Sequence, residues 1–242
     1  MLHWIGLLLL WGPTPVDEAL RECRRLSDST GLGQIARTEF FVVEGALLAL
    51  TGEFAEARKL AAEGRHTLLE LGHKVQYAAI VQPVASFELL AGHAQAAEKL
   101  LREAHAILDA AGERGYLSTV SALLALALAR QGRLEEADVF AEESRRIGPE
   151  DDRITQIYWR VAKARILGGS GDHGEARRLA AETLELARDY DNFDGPIVMV
   201  DVASFLEPDQ AKTALERALT AASAKGNVIT AEQARARLAA LS

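Results

Sequence analysis

Along most of the chain apolar residues return every three to four positions, the spacing of one face of an α-helix. This pattern predicts helices over 1–11, 15–29, 34–51, 53–71, 75–91, 93–111, 115–131, 133–147, 151–169, 173–190, 196–206, 208–224 and 227–241. The stripe of the second runs Val16, Ala19, Leu20, Cys23 and Leu26. That of the last runs Val228, Ala231, Ala234, Leu238 and Leu241, with Glu232, Arg235 and Arg237 off it. Ile197 to Val202 are β-branched enough to imitate a strand, and Pro196, suited to a helix start, decides for helix. The run Ile5, Leu7, Leu8, Leu9, Leu10 and Trp11 has no polar side, which predicts a helix packed all round.

The helices come in repeating pairs. Gly52, Gly92, Gly132 and Gly171 recur at intervals of 40, 40 and 39 residues, and each is followed five positions later by an alanine: Ala57, Ala97, Ala137 and Ala176. A second small residue stands seven positions before each glycine: Gly45, Ala85, Ala125 and Ala164. Glycine ends one helix in a turn that a Cβ would disfavour, and the next helix starts at once. The two small positions predict where paired helices cross, since a larger side chain would hold the axes apart. Stacked antiparallel pairs of this kind build a solenoid, here an arc some 50–60 Å long at roughly 8–10 Å per interaxial step.

The Gly-to-Ala spacing and the small residue ahead of it resemble the tetratricopeptide (TPR) family over nearly the whole chain. The interval near 40 is that of a long-helix variety, and the family's large aromatic positions are poorly kept: Phe41 fits, while Ser121 and Arg160 stand in equivalent places. Glu113-Arg114-Gly115-Tyr116-Leu117-Ser118-Thr119, and Asp151-Asp152 leading to Gln156, Trp159 and Arg160, resemble the C-terminal TPR region of large actinobacterial class III adenylate/guanylate cyclases. Similar regions follow the ATPase module of large LuxR-type regulators. The resemblance implies an all-α, right-handed α-α superhelix of about six helix pairs, beside a catalytic neighbour. It brings no catalytic residue with it.

Composition agrees. Ala and Leu make up roughly a third of the residues, and these head the helix-propensity scale. The net charge of −8 argues against nucleic acid as a partner. The apolar N-terminal run is too short to span a membrane, which needs about 20 residues. It lacks a preceding Lys or Arg, and no small-x-small site precedes Pro13 and Pro15, so it does not read as a leader. The lone Cys23 can form no internal disulfide, and a cytoplasmic setting is expected.

Catalytic motifs are not found. Gly168-Gly169-Ser170-Gly171-Asp172-His173-Gly174 lacks the lysine of a phosphate loop and coincides with a repeat turn. His3, His66, His73, His93, His105 and His173 form no HExxH pair. No Gly-x-Ser-x-Gly elbow is present. The sequence therefore predicts no enzyme, no cofactor and no metal site, and a single domain over 1–242 that acts by binding a partner protein or peptide. The runner-up reading is a ligand-sensing regulatory region; an enzyme with an unrecognised site ranks third.

One stripe carries a candidate site. Arg153, Gln156, Arg160 and Lys163 recur at three, four and three residues, hence on one side of a helix flanked by two apolar sides. As a first helix of its pair it would line the concave surface, with Tyr116, Ser118 and Thr119 from one neighbour and Gln82 and Ser86 from another. Two readings stand: an anchor for an acidic peptide or anionic ligand, or an edge neutralised by the adjacent repeat. The unrelieved apolar first helix further predicts self-association, or repeats or domains upstream that this chain lacks.

Overall fold

The computed structural model describes residues 2–29, 31–188 and 193–241, side chains 2–4 and 7 excepted. Helix accounts for 83% of these residues and none is in a strand. In order they are α1 (Leu2–Trp11), α2 (Val16–Ser27), α3 (Gln34–Leu50), α4 (Phe54–Glu70), α5 (Lys74–Ala79), α6 (Val81–Leu90), α7 (Ala94–Ala110) and α8 (Arg114–Arg130). Then follow α9 (Leu134–Ile147), α10 (Arg153–Gly169), α11 (His173–Leu186), α12 (Asp194–Val202), a 3-10 turn (Ala203–Phe205), α13 (Pro208–Lys225) and α14 (Val228–Leu241). The expectations for Met1, for the side chain of Leu7 and for a helix reaching 190 fall outside the described residues.

One expected helix is broken. The stretch 75–91 divides at Ile80 into α5 and α6. Pro83 is the reason: it has no N–H to offer the carbonyl of Ala79 four residues back, and its ring crowds that carbonyl. The stretch over 196–206 is helix from Asp194, as the Pro196 signal implied, and tightens into the 3-10 turn at Ala203.

The repeat has one local cause. Gly52 (φ 93°) and Gly132 (φ 78°) lie in the left-handed region, where only glycine is unstrained. Each lets the following N–H reach back five residues, Glu53 to the Leu48 carbonyl and Arg133 to the Leu128 carbonyl, both at 3.1 Å. That bond satisfies an orphan carbonyl at the helix end. Gly72 and Gly112 use the same turn, with His73 N–H on Leu68 O and Glu113 N–H on Leu108 O. The turn therefore recurs at both ends of a helix pair, a half-period that the 40-residue spacing had hidden.

The small positions sit at the crossings. A Cβ on Gly45 would come within 2.9 Å of the Ala57 carbonyl oxygen. Ala85, Ala97, Ala125, Ala137 and Ala164 are wholly buried. The helices form two rows. α1, α3, α6, α8, α10 and α12 touch in succession as an inner row, and α4, α7, α9 and α11 back them on the outside. At the centre every residue of α8 from Leu117 to Ala129 is buried.

The rows do not run out as an open arc. The Trp11 indole donates to Asp194 across 183 residues of sequence, so the first and last helices of the inner row meet. Lys225, on α13, donates to the carbonyls of Leu9, Gly12 and Thr14 at 3.0, 2.7 and 2.8 Å. Burial pushes its pKa down to about 8, so at neutral pH the ammonium is charged and each of its N–H groups has an acceptor. The accessible surface of 10933 Å² matches the about 10,600 Å² that a compact chain of 26.2 kDa exposes. Among the described side chains of α1, Leu9 and Leu10 are buried within the chain, while Leu8 stays exposed. In α14, Ala231 and Ala234 face inward as the stripe implied, but Val228 and Leu241 at its ends are exposed. Thr230 takes the inward place instead, and Arg237 donates to the Val200 carbonyl at 2.7 Å.

Candidate functional site

Closing the inner row leaves a cavity of about 780 Å³, within the size range of small-ligand sites. Every inner-row helix or its leading turn contributes to its wall. Leu10, Phe40, Val43, Ile80, Leu123 and Ile154 supply apolar surface, and Glu39, Glu113, Asp152 and Asp194 supply carboxylates. No Lys, Arg or His is among the described lining residues.

The sequence-predicted site residues divide into two groups. Gln82, Ser86, Tyr116 and Thr119 line the cavity. Ser118 is buried behind it, its hydroxyl donating to the Gly115 carbonyl at 2.8 Å and lying 3.2 Å from that of Thr155. The cationic row lies outside. Lys163 is bonded to Asp138 and, at 2.9 Å, to Glu142, both on α9. Arg160 pairs with Glu182 of α11 at 3.3 Å and stacks over Trp159 at 4.2 Å. Gln156 accepts from Arg160 and from the Trp159 indole and donates to the Pro149 carbonyl. Arg153 is exposed at the start of α10, away from the cavity wall. Neighbouring helices thus supply counter-charges to Arg160 and Lys163, the second of the two readings open to the sequence.

Sequence reasoning missed the residues at the closure. Asp194 opens α12 and is 3% exposed. One of its oxygens accepts from Trp11 Nε1 at 2.7 Å and the other from the Tyr158 hydroxyl. Both donors are neutral. Burial pushes its pKa up to about 6, the two hydrogen bonds pulling the other way. The Tyr158 phenol is itself driven well up, by burial and by the nearby Asp194 charge. No periodic signal connects Trp11, Tyr158 and Asp194, because only the closure of the inner row brings them together. Glu113 and Asp152 do carry a signal. Glu113 accepts from the Gly115 and Tyr116 N–H groups, and Asp152 from the Thr155 N–H, as N-caps do.

A second irregularity lies on the wall. The Gln82 Nε2 is buried and has no hydrogen-bond partner. A buried amide without a partner costs stability on the order of 1–3 kcal/mol.

The other reactive side chains are held in structure. Cys23 is buried, donates to the Phe40 carbonyl at 3.3 Å, and has its pKa pushed up to about 12 by burial, which makes it a poor nucleophile. His105 lies 2.6 Å from Glu143 and edge-on to Phe140. Among the described residues no group of His, Cys, Asp and Glu could hold a metal ion, and no helix is long and apolar enough to cross a membrane.

No family model matches the chain, and no curated protein matches it significantly.

Proposed function

We propose that this chain is a TPR-like, right-handed helical-repeat module that binds a small ligand within its inner row and acts without catalysis, as a regulatory element. The 40-residue spacing, the recurring five-residue turn bond and the two rows of helices support the repeat assignment. The observation that carries the ligand reading is the largely apolar, partly open cavity walled by the inner row. An extended peptide would need a groove open at both ends, whereas here α1 and α12, the two ends of the inner row, are joined through Trp11 and Asp194. The structure therefore favours a compact ligand over the peptide partner that the sequence put first. Occupancy would stabilise the closed row by mass action and so couple ligand level to the shape offered to a neighbour.

A direct test uses Nile red, a neutral apolar fluorophore. Titration should give one saturable site with blue-shifted emission. Ala79→Trp, which places an indole on the cavity wall, should abolish that site while far-ultraviolet circular dichroism stays unchanged. Absence of saturable binding, or binding indifferent to Ala79→Trp, would overturn the reading.

A further inference from the structure

The cavity's charge identifies the kind of ligand. Glu39, Glu113, Asp152 and Asp194 line it with no basic residue among the described lining. Glu113 and Asp152 are partly offset by the helix N-termini they cap. Asp194, in the first turn of α12, also feels a helix N-terminus, but it is buried more deeply and its two hydrogen-bond donors are an indole and a phenol. A carboxylate has room for about four hydrogen bonds, so two neutral donors leave acceptor capacity unused. Low-dielectric walls strengthen its field at the cavity. Gln82 adds an independent observation: its buried amide nitrogen is unpartnered. The two ends of an amide exchange by a flip, so the same position can present the oxygen as an acceptor.

An anion would meet the carboxylates of Glu113, Asp152 and Asp194 there. A neutral apolar guest would fill the volume and leave Asp194 without a counter-charge. Resting on the ligand-binding reading above, we propose that the cavity takes a small organic cation, an ammonium group carried on an apolar body, with Asp194 as its counter-ion. The apolar body lies against Leu10, Phe40, Val43 and Leu123, and Gln82 offers its amide oxygen to an ammonium N–H.

The test compares three ten-carbon probes on the full chain by titration calorimetry at pH 8, each below its micellar concentration: decylammonium, decanol and decanoate. Decylammonium should bind at a single site about ten-fold or more tighter than decanol, a charge-assisted preference. Decanoate should not saturate. Asp194→Asn should bring decylammonium down to the level of decanol and leave decanol within about two-fold.

A measurement on the unaltered chain stands beside the variant, should Asp194→Asn fail to fold. Decylammonium affinity should fall as the pH is lowered through about 6, where Asp194 takes up its proton. Tyr158 of α10 and Trp11 of α1 face that carboxylate, with the Ser86 hydroxyl of α6 beside the phenol. Asp201, further along α12, is occupied by Arg130 and Arg165, and the remaining cavity acids are Glu39, Glu113 and Asp152. Equal affinity for decanol and decylammonium would overturn the cation and leave the ligand cavity standing. Tighter binding of decanoate would do the same. If no probe binds, both the cation and the cavity reading fail.

Discussion

The two ends of α12 carry buried aspartates that behave oppositely. Asp201 is held below the usual carboxylate range, because Arg130 and Arg165 approach its two oxygens at 2.6 and 2.7 Å. Asp194, seven residues earlier on the same helix, is pushed up by burial, which its two uncharged donors offset only in part. Arg130 also donates to the Leu89 carbonyl, so the Asp201 cluster ties α12 to α8, α10 and the end of α6. Several other buried or half-buried acids are treated as Asp201 is. Arg58 grips Glu88 through two bonds at 2.7 and 2.8 Å, and Glu98 meets both Arg102 and Arg133. A scaffold neutralises what it buries. The one end of α12 that departs from this practice is also the end that faces the cavity.

Breaking the neutralised end should have the larger effect. Asp201→Leu leaves two guanidiniums facing each other without their shared acceptor. Removing one partner of a buried ion pair typically costs about 3–5 kcal/mol. Urea denaturation should show a loss of that size, with α12 released first as read by hydrogen exchange. A loss near zero would mean that the cluster does not hold α12 in place.

At the other end the effect depends on pH and its sign can be worked out. In the unfolded chain Asp194 ionises around 3.8, and in the fold around 6. Below both values the acid is neutral in either state and folding is unhindered. As the pH rises from about 4 to 6 the unfolded chain gains from ionisation and the fold does not, so stability falls. The shift corresponds to roughly 3 kcal/mol, fully expressed above pH 6. Asp194→Asn is free of that loss, although one of the two donors loses its acceptor. Measured against the unaltered chain, its melting temperature should therefore gain steadily from pH 4 to pH 7. A difference independent of pH would show that the fold does not raise the Asp194 pKa. A residue that costs stability where it sits is the kind retained for binding.

These contrasts also explain what was legible in the sequence. Whatever depends on neighbours in the chain could be read: the turn at Gly52 and Gly132, the small crossings at Gly45 and Ala125, the helix over Pro196 despite its β-branched run. The break at Ile80 was readable too, since Pro83 sits in plain view; the apolar periodicity around it concealed the missing N–H. The site was only half legible. Gln82, Ser86, Tyr116 and Thr119 lie on inner-row helices, where the repeat places them. Asp194 and Trp11 meet only because the row closes, and a repeating pattern holds no information about where its ends touch. The crossings offer a further test of the local part. Ala125→Leu adds bulk to a fully buried position at a helix crossing and should cost about 2 kcal/mol, as overpacking does, by thermal or urea unfolding.

The smallest expected effect falls on the cationic row of α10. Arg160 and Lys163 each leave about 20% of the side chain exposed, Arg160 facing Glu182 on α11 and Lys163 facing Asp138 and Glu142 on α9. Reversing both to glutamate replaces attraction by repulsion against Asp138, Glu142 and Glu182. Partly exposed pairs of this kind contribute roughly 0–1 kcal/mol each, so the double variant should lose about 1–2 kcal/mol, less in high salt. Decylammonium binding should not change, because neither residue lines the cavity. An acidic partner anchored on this row would give the opposite result: stability nearly untouched and capture of a polyglutamate peptide lost. Melting temperature and peptide binding measured on the same Arg160→Glu, Lys163→Glu protein therefore decide which role the row has. Retained stability with lost binding would move the site from the inner cavity back to the edge of α10.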